Sequence, residues 1–153
     1  MNAIKSTFLG ICLVAASSVM YAQGMHSTHN KVPNSVTERF HKDYPDANKT
    51  NWSYTNGKWN ADFRRTGNNE KMMACYNEKG HRLDSRISVA ETSVPSKVRA
   101  RIHDKYPGDY AHNYRKIDRP WKGDLYQVRV KEHGVYKTQY FDKRGHERDY
   151  ASR

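Results

Sequence analysis

The stretch VPNSVTERFHKDYPDA, residues 32 to 47, returns as VPSKVRARIHDKYPGD, residues 94 to 109, at a constant offset of 62 positions. A chain that carries the same apolar period and the same stop signal twice is constrained to build its fold from two similar units. Val32, Val36, Phe40 and Tyr44 recur every fourth residue, and Val94, Val98, Ile102 and Tyr106 do the same, so each set lines one side of an amphipathic helix about three turns long. Pro33 and Pro95 suit the first helical position, where a missing N–H costs nothing. Pro45 and Pro107 disfavour helical geometry at the tyrosine before them, which stops the helices near Tyr44 and Tyr106.

Strands follow each helix. In NWSYTNGKWNADF, Asn56-Gly57 signals a two-residue hairpin, because both central residues of a type I′ turn need positive φ. That turn predicts Tyr54 facing Trp59, Trp52 facing Ala61 and Thr50 facing Phe63 on one side of the sheet, with Ser53, Thr55, Lys58, Asn60, Asp62 and Arg64 on the other. A third strand is expected around Lys71 to Tyr76, then a turn at NEKG and a fourth strand through Leu83, Ile87 and Val89. The second unit repeats the order with a strand near Tyr114, a loop DRPWKGD, strands LYQVRV and VYKTQYF, the turn DKRG and a short terminal strand. Tyr76 to Gly80 matches Phe141 to Gly145 at an offset of 65, so the loop around Pro120 holds three extra residues. One helix on four strands buries little, and joining two such units edge to edge gives a larger sheet. The expected fold is therefore α+β: two tandem helix-plus-four-strand (αβ4-like) repeats, 32–91 and 92–153, sharing one antiparallel sheet with both helices on one face.

The pattern VP..V...F...YP.A, followed by a Trp-containing strand, an Asn-Gly hairpin and an aromatic-Asn/Asp-x-x-Gly turn, resembles the PepSY-like family of bacterial periplasmic proteins, related in fold to the β-lactamase inhibitor protein. The resemblance spans roughly residues 32 to 150 and implies a sheet whose open face docks a partner, in a family whose related modules are regarded as peptidase-inhibitory or regulatory. The second copy departs from the pattern: it lacks the hairpin Asn-Gly and has Asp109 and Tyr110 where the first has Ala47 and Asn48.

Residues 1–22 read as a secretory signal, with Lys5 ahead of an apolar run and small residues before a cut after Ala22. The run is shorter than the ~20 residues that span a bilayer, so the expected location is periplasmic or secreted, with no transmembrane segment. Residues 23–31 read as a disordered leader, whose His26 and His29 lack the further ligands of a metal site. Beyond the signal Cys75 is the one cysteine, so no internal disulfide is expected. Formal net charge is +11, or +10 once Lys5 leaves with the signal, which favours acidic partners through long-range attraction.

The aromatics Trp52, Tyr54, Trp59, Tyr126 and Tyr140 are expected beneath the helices together with Ala61, Phe63, Val128 and Val130, and Cys75 is aligned with Tyr140 as a small buried hydrophobe. If Val130 pairs with Tyr136, then Arg129, Lys131 and Lys137 project from the open face beside Gln127 and Gln139, with Arg64, Arg82 and Arg86 in comparable places and Met72 and Tyr76 between them. Trp121 is expected exposed in its loop. Cations with scattered aromatics suit an acidic protein surface. The expected partner-binding set is thus Arg64, Tyr76, Arg82, Arg86, Trp121, Arg129, Lys131 and Lys137, engaging an acidic envelope protein. Anionic glycan or lipid head groups are the alternative, and a solvated sheet face competes with both; nucleic acid is disfavoured. Nucleophile elbows, phosphate-cradling loops and His-Glu-x-x-His helices are absent from the sequence, and no cofactor, metal or catalytic residue is expected.

Overall fold

The computed structural model describes residues 31–107 and 111–150. The expected signal, most of the leader with its histidines, and Asp109 and Tyr110 lie outside the described residues.

Helix α1 (Asn34–Asp43) is followed by strands β1 (Ala47–Thr55), β2 (Lys58–Arg65), β3 (Lys71–Tyr76) and β4 (Arg82–Ser88). A short 3-10 turn at Glu91–Ser93 leads to α2 (Ser96–Lys105), then β5 (His112–Asp118), β6 (Leu125–Glu132) and β7 (Val135–Asp142). The fold is α+β, with one open seven-stranded antiparallel sheet in the order β1 to β7 and two helices. The expected terminal strand reduces to a single bridge between Phe141 and Glu147.

Pro33 and Pro95 sit one residue outside the helices rather than at their first position, with ψ of 144° and 139°. Each carbonyl still accepts two N–H groups, from Val36 and Thr37 at 3.0 and 3.1 Å and from Val98 and Arg99 at 2.9 and 3.0 Å. Those bonds satisfy donors that a helix N-terminus otherwise leaves orphaned. Both helices stop before the tyrosine that precedes proline, as expected.

The Asn56-Gly57 hairpin sets its predicted register, Tyr54 opposite Trp59 and Trp52 opposite Ala61, with φ of 52° and 72° at the turn. A bulge between Asn48 and Asn51, with Lys49 at φ 49°, interrupts the expected Thr50–Phe63 pair. Pairing then carries the same face across the sheet: Phe63 opposes Met72, Met72 opposes Ile87, Ile87 opposes Lys116, Lys116 opposes Tyr126 and Tyr126 opposes Phe141. Both helices cover this side. Val36 and Phe40 pack on Trp59, Ala61, Phe63, Ala74 and Tyr76, while Val98 and Ile102 pack on Tyr114, Val128, Val130 and Phe141.

Between the two clusters, polar residues fill the middle of the helix-side face. Arg82 donates from Nη1 to Tyr44 Oη at 3.2 Å, Ser85 Oγ at 2.9 Å and Asp118 Oδ2 at 2.7 Å, and its Nε lies 3.8 Å from Asp43 Oδ2. The guanidinium thus ties the end of α1 to β5 at the wall of a cavity of about 360 Å³.

A candidate docking face on the open side of the sheet

The face without helices is defined by register, and one hairpin decides half of it. β6 and β7 are joined by only two residues, His133 and Gly134, both at positive φ (49° and 83°). This is type I′ geometry, which pairs Glu132 with Val135, Lys131 with Tyr136 and Val130 with Lys137. The expected Val130–Tyr136 pair is off by one, and a one-residue slip turns every side chain to the other face. Tyr136, Thr138 and Tyr140 therefore share the open side with Gln127, Arg129 and Lys131. Lys137 and Gln139 share the helix side, where Lys137 pairs with Glu132.

The same correction applies to β3. Asn60 opposes Cys75 and Asp62 opposes Met73, which puts Lys71, Met73 and Cys75 on the open side and Met72, Ala74 and Tyr76 under α1. Tyr76 is 0% exposed, ringed by Phe40 and Trp52, and its hydroxyl donates to Asp43 Oδ2 at 3.3 Å. Burial first, then the neighbouring Tyr44 and Asp43, push its phenol well above the usual tyrosine range. It is a core residue and not a partner contact. Arg82, spent on the helix-side network, is likewise withdrawn from the open face.

Besides Lys137, exposed on the helix side, five of the expected residues remain accessible. Arg64 stands at the β2 end of the open side, its Nη1 donating to the Asn69 carbonyl at 3.0 Å. Trp121 is fully exposed in the β5–β6 loop, at φ 74°. Arg86 is half-buried in the middle of the face. Arg129 and Lys131 flank Tyr136, with the guanidinium 4.5 Å and the ammonium 5.7 Å from the ring centroid. The structure thus gathers Arg129 and Lys131 and leaves Arg64 and Trp121 apart from them.

The centre of the face is closed by the chain beyond β7. Tyr150 donates to Asp84 Oδ2 at 2.5 Å, accepts from Arg86 Nη2 at 2.6 Å and stacks on Tyr140 at 5.3 Å. A side chain that touches both β4 and β7 lies across β5 and β6, above Ile117 and Leu125, which the register turns to this side and which are 0% and 1% exposed. Asp84, itself buried, also receives Arg86 Nε at 2.9 Å. Burial, then the bond to Asp84, pushes the Tyr150 hydroxyl up to about 12. The sequence carries no spacing signal for this closure; a lone tyrosine after the last turn is its only trace.

Cys75 is buried on this side, opposite Asp84. Burial, reinforced by the Asp84 charge, pushes its thiol up to about 11, away from the thiolate that nucleophilic chemistry needs. Tyr140 shares its face as the sequence alignment held, but that face is the open one. Among the described residues no three His, Cys, Asp or Glu gather to hold a metal ion.

Two areas of this side stay uncovered by the described residues. One is a depression of about 160 Å³ whose lining includes Lys71, Arg86, Arg115 and Asp62. The other is the end of β6 and β7, where Tyr136 is 49% exposed and sits 5.3 Å from the His112 ring as well as against its two cations.

Neither a protein-family model nor a curated protein matches the chain by sequence. Solved structures match its shape. A BLIP-like protein from Bacteroides fragilis shares 17% identity over 80% of this chain and 89% of its own, with a TM-score of 0.65. A DUF2874 family protein from Bacteroides ovatus shares 20% identity over 76% and 84%, with a TM-score of 0.68. A Bacteroides eggerthii protein, provisionally described as periplasmic, shares 17% identity over 76% and 86%, with a TM-score of 0.69. The chain therefore has a BLIP-like fold.

Proposed function

We propose that this chain is a non-enzymatic periplasmic or secreted binding protein that docks an acidic protein partner on the open side of its sheet, in the manner of a hydrolase inhibitor or regulator. The observation that carries this reading is Tyr136, half exposed and held between Arg129 and Lys131 on the side that no helix covers. An aromatic pinned by cations loses little freedom on binding, and such residues are enriched where interfaces concentrate their energy. The net charge of +11 adds long-range attraction for an acidic surface. The location rests on the signal-like residues 1–22 and on the description of the Bacteroides eggerthii neighbour. Placement in the PepSY-like family, and descent of the two halves from one duplicated unit, rest on the repeated sequence pattern and belong to the same proposal.

Trp121 favours a second reading, since a fully exposed tryptophan next to Lys122 suits an anionic glycan or lipid head group. Pull-down from envelope extract separates the two, using wild type, Arg129→Glu/Tyr136→Ala, Trp121→Ala and Lys137→Glu. One discrete protein held at near-physiological salt, lost in the double variant and weakened less by Lys137→Glu, is the expected result. Anionic polymer or lipid that salt releases and Trp121→Ala diminishes would replace it with the second reading. Equal retention by all four proteins would mean that neither area docks a partner.

A further inference from the structure

β7 is the last strand of the sheet, and the residues of an edge strand turn their N–H and C=O alternately towards their neighbour and away from it. The Arg148 N–H bonds the Tyr140 carbonyl and the Asp142 N–H bonds the His146 carbonyl, both at 2.9 Å, so the even-numbered residues of β7 face away from β6. By that alternation the N–H and C=O of Tyr136 and Thr138 also face away, and among the described residues no backbone group bonds them. Among the described residues the chain beyond β7 bridges only Phe141, and Val135 to Gln139 form an edge that none of them pairs, with Val135 60% exposed. We propose that this stretch of β7 binds an extended acidic segment of a partner protein as an added strand.

Charge selects the occupant. Arg129 and Lys131 stand one strand in from the edge on the open side, and Lys137 stands on the edge itself. Pairing β7 with β7 of a second copy would bring all three cations together twice, and edge lysines act against such pairing. An acidic strand instead places carboxylates beside Tyr136 and Thr138, roughly 10 Å from the β6 backbone, a gap that glutamate and arginine side chains span together. Main-chain bonds supply affinity in strand addition, and the flanking charges supply selectivity. The inference takes the acidic character of the partner from the docking proposal; the site itself is the strand edge rather than the face.

The test is fluorescence anisotropy with a labelled, capped peptide of alternating Glu and Val at near-physiological salt. Wild type is expected to bind it, with slowed amide exchange at Tyr136 and Thr138. One of the two complementary patterns of N-methylation on the peptide should weaken binding ~10-fold or more while the other leaves it unchanged, because only alternate residues donate to the edge. Thr138→Pro removes an outward N–H at a position where an edge tolerates proline, and should lose the peptide with an unchanged circular dichroism spectrum. The methylated peptides decide the matter even if that variant fails to fold. Equal binding of both methylated peptides, with no slowed exchange, would overturn the edge site and leave docking on the face intact. Absence of any peptide binding would also overturn it. A dimer in sedimentation that Thr138→Pro dissolves would overturn it in favour of a second copy.

Discussion

The two halves run through the same turn and then diverge. In the first, the Gly80 N–H bonds the Asn77 carbonyl at 3.0 Å and the Asn77 N–H bonds the His81 carbonyl at 3.0 Å; in the second, Gly145 bonds Asp142 and Asp142 bonds His146, each at 2.9 Å. After the first turn comes β4, paired with β3 on one side and β5 on the other. After the second comes one bridge and a segment that crosses the open face. Nearly identical turns thus precede a central strand and no strand at all. The turn starts the return, but its local bonds do not by themselves carry the returning chain into the sheet. In the second half Tyr150 instead reaches over the open face to Asp84, Arg86 and Tyr140.

The halves also fill their cores differently, and two substitutions probe the contrast. Phe40 meets Trp52 and Phe63 edge-to-face at 5.1 and 5.0 Å, whereas Ile102, in the corresponding place, sits mostly among valines and tyrosines. Phe40→Ala is expected to destabilise by about 4 kcal/mol and Ile102→Ala by about 3 kcal/mol in denaturant unfolding. Equal losses would mean that the aromatic contacts add nothing beyond volume. The next contrast lies in the turn glycines. A β-carbon on Gly80 would meet the Ser35 carbonyl oxygen at 2.4 Å, and one on Gly145 would meet that of Lys97 at 2.7 Å, at φ of +81° and +84°. Alanine should cost roughly 2–3 kcal/mol at Gly80 and about 1–2 kcal/mol at Gly145, and the reverse order would break the comparison.

The smallest contrast depends on pH. Asn77 Oδ1 accepts the N–H groups of Lys79 and His81, and Asp142 Oδ1 accepts those of Arg144 and His146 in the same way, but only Asp142 carries charge. Burial opposes ionisation of Asp142, yet the Arg148 guanidinium and the two N–H groups outweigh it and bring the carboxyl down from 3.8 to about 2. A carboxyl held below its unfolded value stabilises above that value, and the contribution fades as pH falls through the folded one. Wild type should therefore lose melting temperature between pH 3.8 and about 2, and Asp142→Asn should lose less. Parallel decline in both would show that the two turns are electrostatically alike.

Helices, the positions of the seven strands along the chain and the first hairpin were legible because their signals are local: a fourfold apolar period, proline at set positions, Asn-Gly between alternating aromatics. The face assignments of β3 and β7 were not. His133 carries no obvious mark of positive φ, so the turn reads as longer than it is, and the slip exchanges Lys137 for Tyr136 on the open face. Tyr76 went astray through parity, although small Ala74 opposite Ala61, beneath the helix, was the clue to its burial. Arg129 and Lys131 were placed correctly only because they precede the misread turn. The tail over the sheet was beyond reach, since Tyr150 acquires its role from Asp84 and Tyr140, 66 and 10 residues back in the chain.

Every pair of neighbouring strands in the sheet is consecutive in the chain, with no crossover. No segment has to wait for a partner made much later, so a chain emerging from its amino end can assemble strand upon strand in the order of synthesis. The last event in that sequence is the arrival of Tyr150, which seals Ile117 and Leu125; until then those two side chains advertise an unfinished molecule.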